Sequence, residues 1–203
     1  MNIKTLLATF FTVFALVNCG GKGEYTLFPE DIQLKSGDIV LRCGSGITSR
    51  AVLYADGGGS YSHVGIVVDS AGVKMIVHAV PDEHDSKDDI DRVKMERPEK
   101  FFSSMRTSNG RIMRCQDSIT AQRAGAEAYR LYRKTIYFDH DYDDRDSTKM
   151  YCCELVEFAY QKAGMSIVGK ERHDINLPAF SFDHVMLPSD FLNSEHLTTI
   201  RTF

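Results

Sequence analysis

The chain carries no excess of basic charge: 24 Lys and Arg against 28 Asp and Glu leave its 203 residues at −4. Neutralising a phosphate backbone needs a basic patch, and the cations are scattered, so no nucleic-acid partner is expected. Internal repeats and low-complexity tracts are also missing. The one long apolar run, residues 6–17, is too short to span a bilayer comfortably as a mature helix. The acidic stretch 139–144 lacks the glycine turn and distal glutamate of a calcium loop and reads as a solvated rim. Two histidines and two cysteines are competent zinc ligands, but adjacent cysteines diverge on a helix and no pair shows the usual spacing. No metal and no cofactor is expected.

What is present is a globular composition, 43% hydrophobic and 26% charged, sized for one domain and one site. Lys4 followed by the apolar run has the pattern of an export signal over residues 1–19. Leu16-Val17-Asn18-Cys19 resembles the lipobox at which bacterial lipoproteins are cleaved and lipidated on the cysteine. Asn18 departs from the small residue usual there, which keeps a cleaved signal and a retained anchor as alternatives. Residues 20–27 then form a tether and 28–203 the folded domain. The expected location is outside the cytoplasm, in the bacterial envelope. Of the remaining cysteines, Cys43 and Cys115 read as small core residues with a bridge between them conceivable, and at least one of Cys152 and Cys153 reads as a free thiol.

Turn residues and short apolar runs predict strands over 37–42, 63–69, 74–80, 92–96 and 111–115. Helices are expected over 46–55, 120–134 and 151–163, the last closed by Gly164, with a helical turn over 98–104. The tail from residue 176 reads as irregular. The resulting class is α+β, an antiparallel sheet packed against helices. Strands 63–69 and 74–80 form a hairpin, and an even loop puts His63 and His78 on one face. A two-residue turn at Ser70-Ala71 would set the histidines directly opposite, with Gly65 leaving room beside the rings and Val64, Ile66, Val68, Met75, Val77 and Ala79 forming the core face.

Cys152 stands where the acidic loop meets a helix bearing Leu155, Val156 and Ala159. A thiol in the first helical turn feels the positive end of the helix dipole, and a neighbouring imidazole lowers its pKa further, giving the thiolate that acyl transfer needs. Cys153 is rotated by about 100° from it.

Four blocks then carry a family resemblance: Leu34-Lys35-Ser36-Gly37-Asp38-Ile39-Val40-Leu41, Ser62-His63-Val64-Gly65-Ile66-Val67, Val77-His78-Ala79 and Tyr151-Cys152-Cys153-Glu154-Leu155-Val156. In this order they resemble the permuted papain-like cysteine hydrolases, the YiiX/YebB-like branch of the NlpC-type superfamily, related in layout to lecithin:retinol acyltransferases. The resemblance implies a circularly permuted papain-like fold, Cys152 as nucleophile, His63 as base and His78 as the group that orients it. Cys153 replaces the family's usual Ser or Thr, and Phe138-Asp139 replaces its Tyr-Asp pair. The implied activity is amide hydrolysis of cell-wall peptides, with peptidoglycan fragments as substrate. A lipid acyltransferase or lipid hydrolase, anchored through a lipidated Cys19, is the second reading, and a noncatalytic envelope-binding module the third.

Overall fold

The computed structural model describes residues 23–177 and 180–203. The expected leader with Cys19 lies outside them. In chain order the elements are β1 (Ile39–Arg42), α1 (Ile47–Ala55), β2 (His63–Ser70), β3 (Val73–Val80), β4 (Arg92–Glu96), α2 (Pro98–Phe101), β5 (Gly110–Cys115), α3 (Ser118–Arg133), β6 (Tyr137–Phe138), β7 (Lys149–Met150), α4 (Cys152–Lys162), β8 (His173–Leu177), β9 (Phe180–Val185), α5 (Pro188–Leu192) and β10 (Leu197–Thr202). Eight strands form one sheet in the order β10-β5-β1-β2-β3-β4-β6-β7, antiparallel except for β6 with β7, and β8 pairs with β9 apart from it. The α+β class read from the sequence is therefore the class observed.

Alternation along β2 and β3 buries both faces of the sheet. Val64, Ile66, Val68, Val77 and Ala79 meet Ala121, Ala124, Ala128 and Leu131 of α3 and Leu155, Val156 and Ala159 of α4. Each large aliphatic side chain so buried contributes about 1.5–3 kcal/mol. On the other face Val40, Val67, Ile76 and Ile112 pack under Phe101, the last residue of α2, and Phe102, its C-cap, forming a second, smaller cluster. Asp117 caps α3 by accepting the Ile119 and Thr120 N–H groups. α3 lies so close to the sheet that a Cβ on Gly125 would sit 3.0 Å from the Val67 carbonyl oxygen.

Two expectations need correction. The hairpin turn is Ala71-Gly72, with Ser70 paired to Val73 and Asp69 to Lys74. Both turn residues have positive φ, 52° and 83°, which is the type I′ requirement that glycine at the second position satisfies without strain. Asp69 also accepts the Gly72 N–H. The tail, read as irregular from residue 176, instead supplies the end of β8 together with β9, α5 and β10. β10 is the sheet's edge strand on β5, and its solvent-facing Thr198, Thr199 and Arg201 conceal the alternation that marks a half-buried strand.

Candidate active site

His63 heads β2 and is paired there to Arg42 of β1. The β2–β3 ladder begins only at Ile66 and Val77. Continued backwards, its register sets His78 beside Gly65 and His63 one diagonal step away, rather than directly opposite as the sequence-based turn predicted. The rings still share a face and meet, His63 Nε2 lying 2.9 Å from His78 Nδ1. Gly65 is the space between them: a Cβ there would come within 2.8 Å of Ile76 Cγ2 and 3.3 Å of His78 Cβ. Phe101 covers both imidazoles, its centroid 5.8 Å from that of His63 and 5.2 Å from that of His78.

Glu96, at the end of β4, sits diagonally across from His78, which pairs with Lys94. Its Oε1 lies 3.2 Å from His78 Nε2, within ion-pair reach though off the line of a regular hydrogen bond. Arg106 holds the same carboxylate at 3.0 Å and reaches Glu83 at 2.7 Å, and Glu83 in turn pairs with the buried Arg42. Arg42 also donates to the Phe101 carbonyl at 2.8 Å, tying the aromatic cover to this network. Burial works to raise the Glu96 pKa, but His78, Arg106 and Arg42 outweigh it and bring the carboxyl down to about 2. An ionised Glu96 favours the His78 tautomer protonated at Nε2. His78 Nδ1 then accepts from His63 Nε2–H, and the lone pair of His63 Nδ1 is left free.

Cys152 is the first residue of α4, whose N-cap, Tyr151, contributes no side-chain cap. Val64 pairs with Leu41 of β1 but lies beyond the start of the β2–β3 ladder at Ile66, and its N–H donates to the Cys152 sulfur. The thiol pKa is drawn well below its ordinary value by Cys153, by the His63 imidazole and by Val64, against the opposing effect of burial. The Cys153 contact, 3.9 Å between sulfurs, is long, and S–H is a weak donor; the ring and the backbone N–H are the firmer partners. Cys153 faces the core, and burial pushes its own pKa well above the usual thiol range. Burial pushes His63 down to about 4, opposed by its contact with Cys152.

The three residues read from the sequence, Cys152, His63 and His78, are brought together, and Glu96 joins them. Sequence reasoning passed over Glu96, although the period-2 pattern of 92–96 sets Arg92, Lys94 and Glu96 on one face. Cys43 and Cys115 are free thiols. Tyr142 stands in the cavity wall next to Cys152, where burial and the nearby cysteines raise its pKa and keep the phenol protonated. Glu154, in the first turn of α4, accepts the Tyr151 N–H; burial lifts its pKa to about 9, and its Oε2 has no partner among the described residues.

No family model and no curated protein matches this chain. Among solved structures, the crystal structure of the metalloprotein yiiX from Escherichia coli O157:H7 superposes with a TM-score of 0.68 at 19% identity, over 85% of this chain and 99% of that one. The chain shares the fold of that protein.

Proposed function

We propose that the protein is a cysteine hydrolase of amide or ester bonds, with Cys152 as nucleophile, His63 as base, and His78 and Glu96 as the groups that position the base. The single observation behind this reading is the continuous chain Glu96, His78, His63, Cys152, which ends on a thiol whose pKa is lowered at a helix start. His63 Nδ1 takes the Cys152 proton as the sulfur attacks the carbonyl carbon. The Cys152 N–H, free at the start of α4, faces the developing oxyanion. Collapse of the tetrahedral adduct breaks the bond to the leaving amine or alkoxide, which takes the proton from His63 and departs. Water then attacks the thioester, giving its proton to His63, and the acid leaves as the released Cys152 sulfur takes that proton back from His63.

The His-strand-before-Cys-helix order and the fold shared with yiiX support a permuted papain-like arrangement over the domain 28–203. The yiiX structure is described as a metalloprotein; among the described residues of this chain no three His, Cys, Asp or Glu side chains are grouped to hold a metal ion, and no step above requires one. Export and attachment through Cys19 belong to the same proposal and rest on residues 1–19 alone. Wall peptides and acyl lipids are the two substrate classes, and the apolar lining beside Cys152 favours the second.

The test is brief treatment with a thiol electrophile followed by mass mapping of wild type, Cys152→Ala and Cys153→Ala. Label is expected on Cys152 in wild type and in Cys153→Ala, at a rate that persists below pH 7. A thiol that reacts only near its ordinary pKa of about 8.5 supports a noncatalytic binding module instead.

A further inference from the structure

Two cavities flank the Cys152–His63 pair, and their linings differ in kind. On the Cys152 side a cavity of ≈ 270 Å³ opens between α1 and the β8, β9 and α5 elements, walled by Ala51, Val52, Ile175, Phe182, Met186 and Leu187. Among the described residues no carboxylate, ammonium or guanidinium lines it. Its polar groups are few: the Tyr151 hydroxyl already accepts the Met186 N–H at 2.9 Å, and Tyr142 stays a neutral phenol. On the His63 side a cavity of ≈ 420 Å³ has a mixed wall, in which Asp82, Glu83 and Arg106 bring charge beside the apolar Val80, Pro81 and Met105. Ile47 and Thr48, at the start of α1, line both cavities, and the contacting Cys152 and His63 line one each, so the two adjoin at the reacting pair.

The chemistry assigns a substrate half to each arm. After attack the acyl group is bonded to the Cys152 sulfur, whereas the leaving group departs with the proton carried by His63. The acyl part therefore lies in the arm that contains Cys152 and the leaving group in the arm that contains His63. Burying a charged acyl part, such as a peptide bearing a free carboxylate, in the first arm would strand that charge without a partner. An alkyl chain there gains about 0.8 kcal/mol for each methylene buried. We infer that the substrate is an amphiphile, an ester or amide whose apolar acyl chain occupies the Cys152 arm under α1 and whose polar, hydrogen-bonding leaving group occupies the His63 arm. This rests on the thioester reading given above and adds to it the substrate class and its direction of binding.

The experiment uses two matched series on the full chain: 4-nitrophenyl acetate, butanoate and octanoate below their aggregation concentrations, and octanoyl against γ-glutamyl 4-nitroanilide. Expected are a kcat/KM that rises at least about tenfold from acetyl to octanoyl and a preference for octanoyl over γ-glutamyl. The octanoyl-to-acetyl ratio should collapse towards one in Ala51→Phe and in Val52→Phe, each of which fills the apolar arm from α1; if either variant fails to fold, the wild-type series still decides. A flat chain-length series, or faster release from the γ-glutamyl compound, with turnover still abolished by Cys152→Ala, overturns the amphiphile and leaves the cysteine hydrolase standing. Failure of every ester to leave an acyl group on Cys152, checked by intact mass, sinks both.

Discussion

Glu96→Gln removes one negative charge from the far end of the relay and alters little volume. In the wild type the carboxylate lies 3.2 Å from His78 Nε2, and His78 Nδ1 lies 2.9 Å from His63 Nε2. With one imidazole between them, the charge stands about 8 Å from the protonated His63, and at an effective dielectric of about 20 the attraction is about 2 kcal/mol. That is about 30-fold in the rate of any step that builds an imidazolium at His63, and about 1.5 units in the pH at which the Cys152 thiolate forms. The assay is the pH dependence of Cys152 alkylation, read beside kcat/KM for an activated ester. Glu96→Gln should move the acid limb of the alkylation profile upward and lower kcat/KM by the same order. The substitution also breaks the Arg106 contact and lowers stability, so the pH profile of the folded fraction carries the test, because a purely structural loss would scale the rate without moving the limb. A profile that superposes on wild type in a folded Glu96→Gln protein refutes the relay.

Cys153→Ala removes a donor to the Cys152 sulfur and should slow alkylation below pH 7 by a few-fold while leaving the labelled site unchanged, as peptide mapping would show. Gly65→Ala forces a Cβ to within 2.8 Å of Ile76 Cγ2 and 3.3 Å of His78 Cβ; a loss of about 1–3 kcal/mol in chemical denaturation is expected, with a fall in kcat larger than any change in KM as His78 is displaced. The folded pKa of Glu96, about 2, lies below the unfolded carboxyl at 4.5, so its stabilisation is complete above pH 4.5 and is lost as pH falls towards 2. The loss is on the order of 3 kcal/mol, and denaturation midpoints at pH 6 and pH 3 should differ less in Glu96→Gln than in wild type.

Much of this was legible locally. The β2–β3 hairpin is written in the alternation of residues 63–80, and α4 in the spacing of Leu155, Val156 and Ala159 ahead of Gly164. Parity required only an even loop to put both histidines on one face, so that conclusion survived the two-residue error in register. The error arose because Ser70-Ala71 and Ala71-Gly72 are both two-residue turns, and the choice hangs on which site needs a left-handed second residue. The tail misled because β10 earns its place from β5, some 85 residues earlier in the chain, and not from its own pattern.

The sequence by itself determined the class of fold, the faces of the central strands and the identity of the three side chains Cys152, His63 and His78, because these depend on helical and strand periods and on reactive residue types. Only the tertiary structure decided that Glu96 stands beside His78, that the Cys152 sulfur meets the Val64 N–H, and that a cavity without charged side chains lies beside Cys152 and one with charged side chains beside His63. Each of those depends on the register between strands and on elements distant in the chain converging on one point. A one-dimensional pattern fixes which way a side chain faces; what it faces is set by the neighbours that packing brings there.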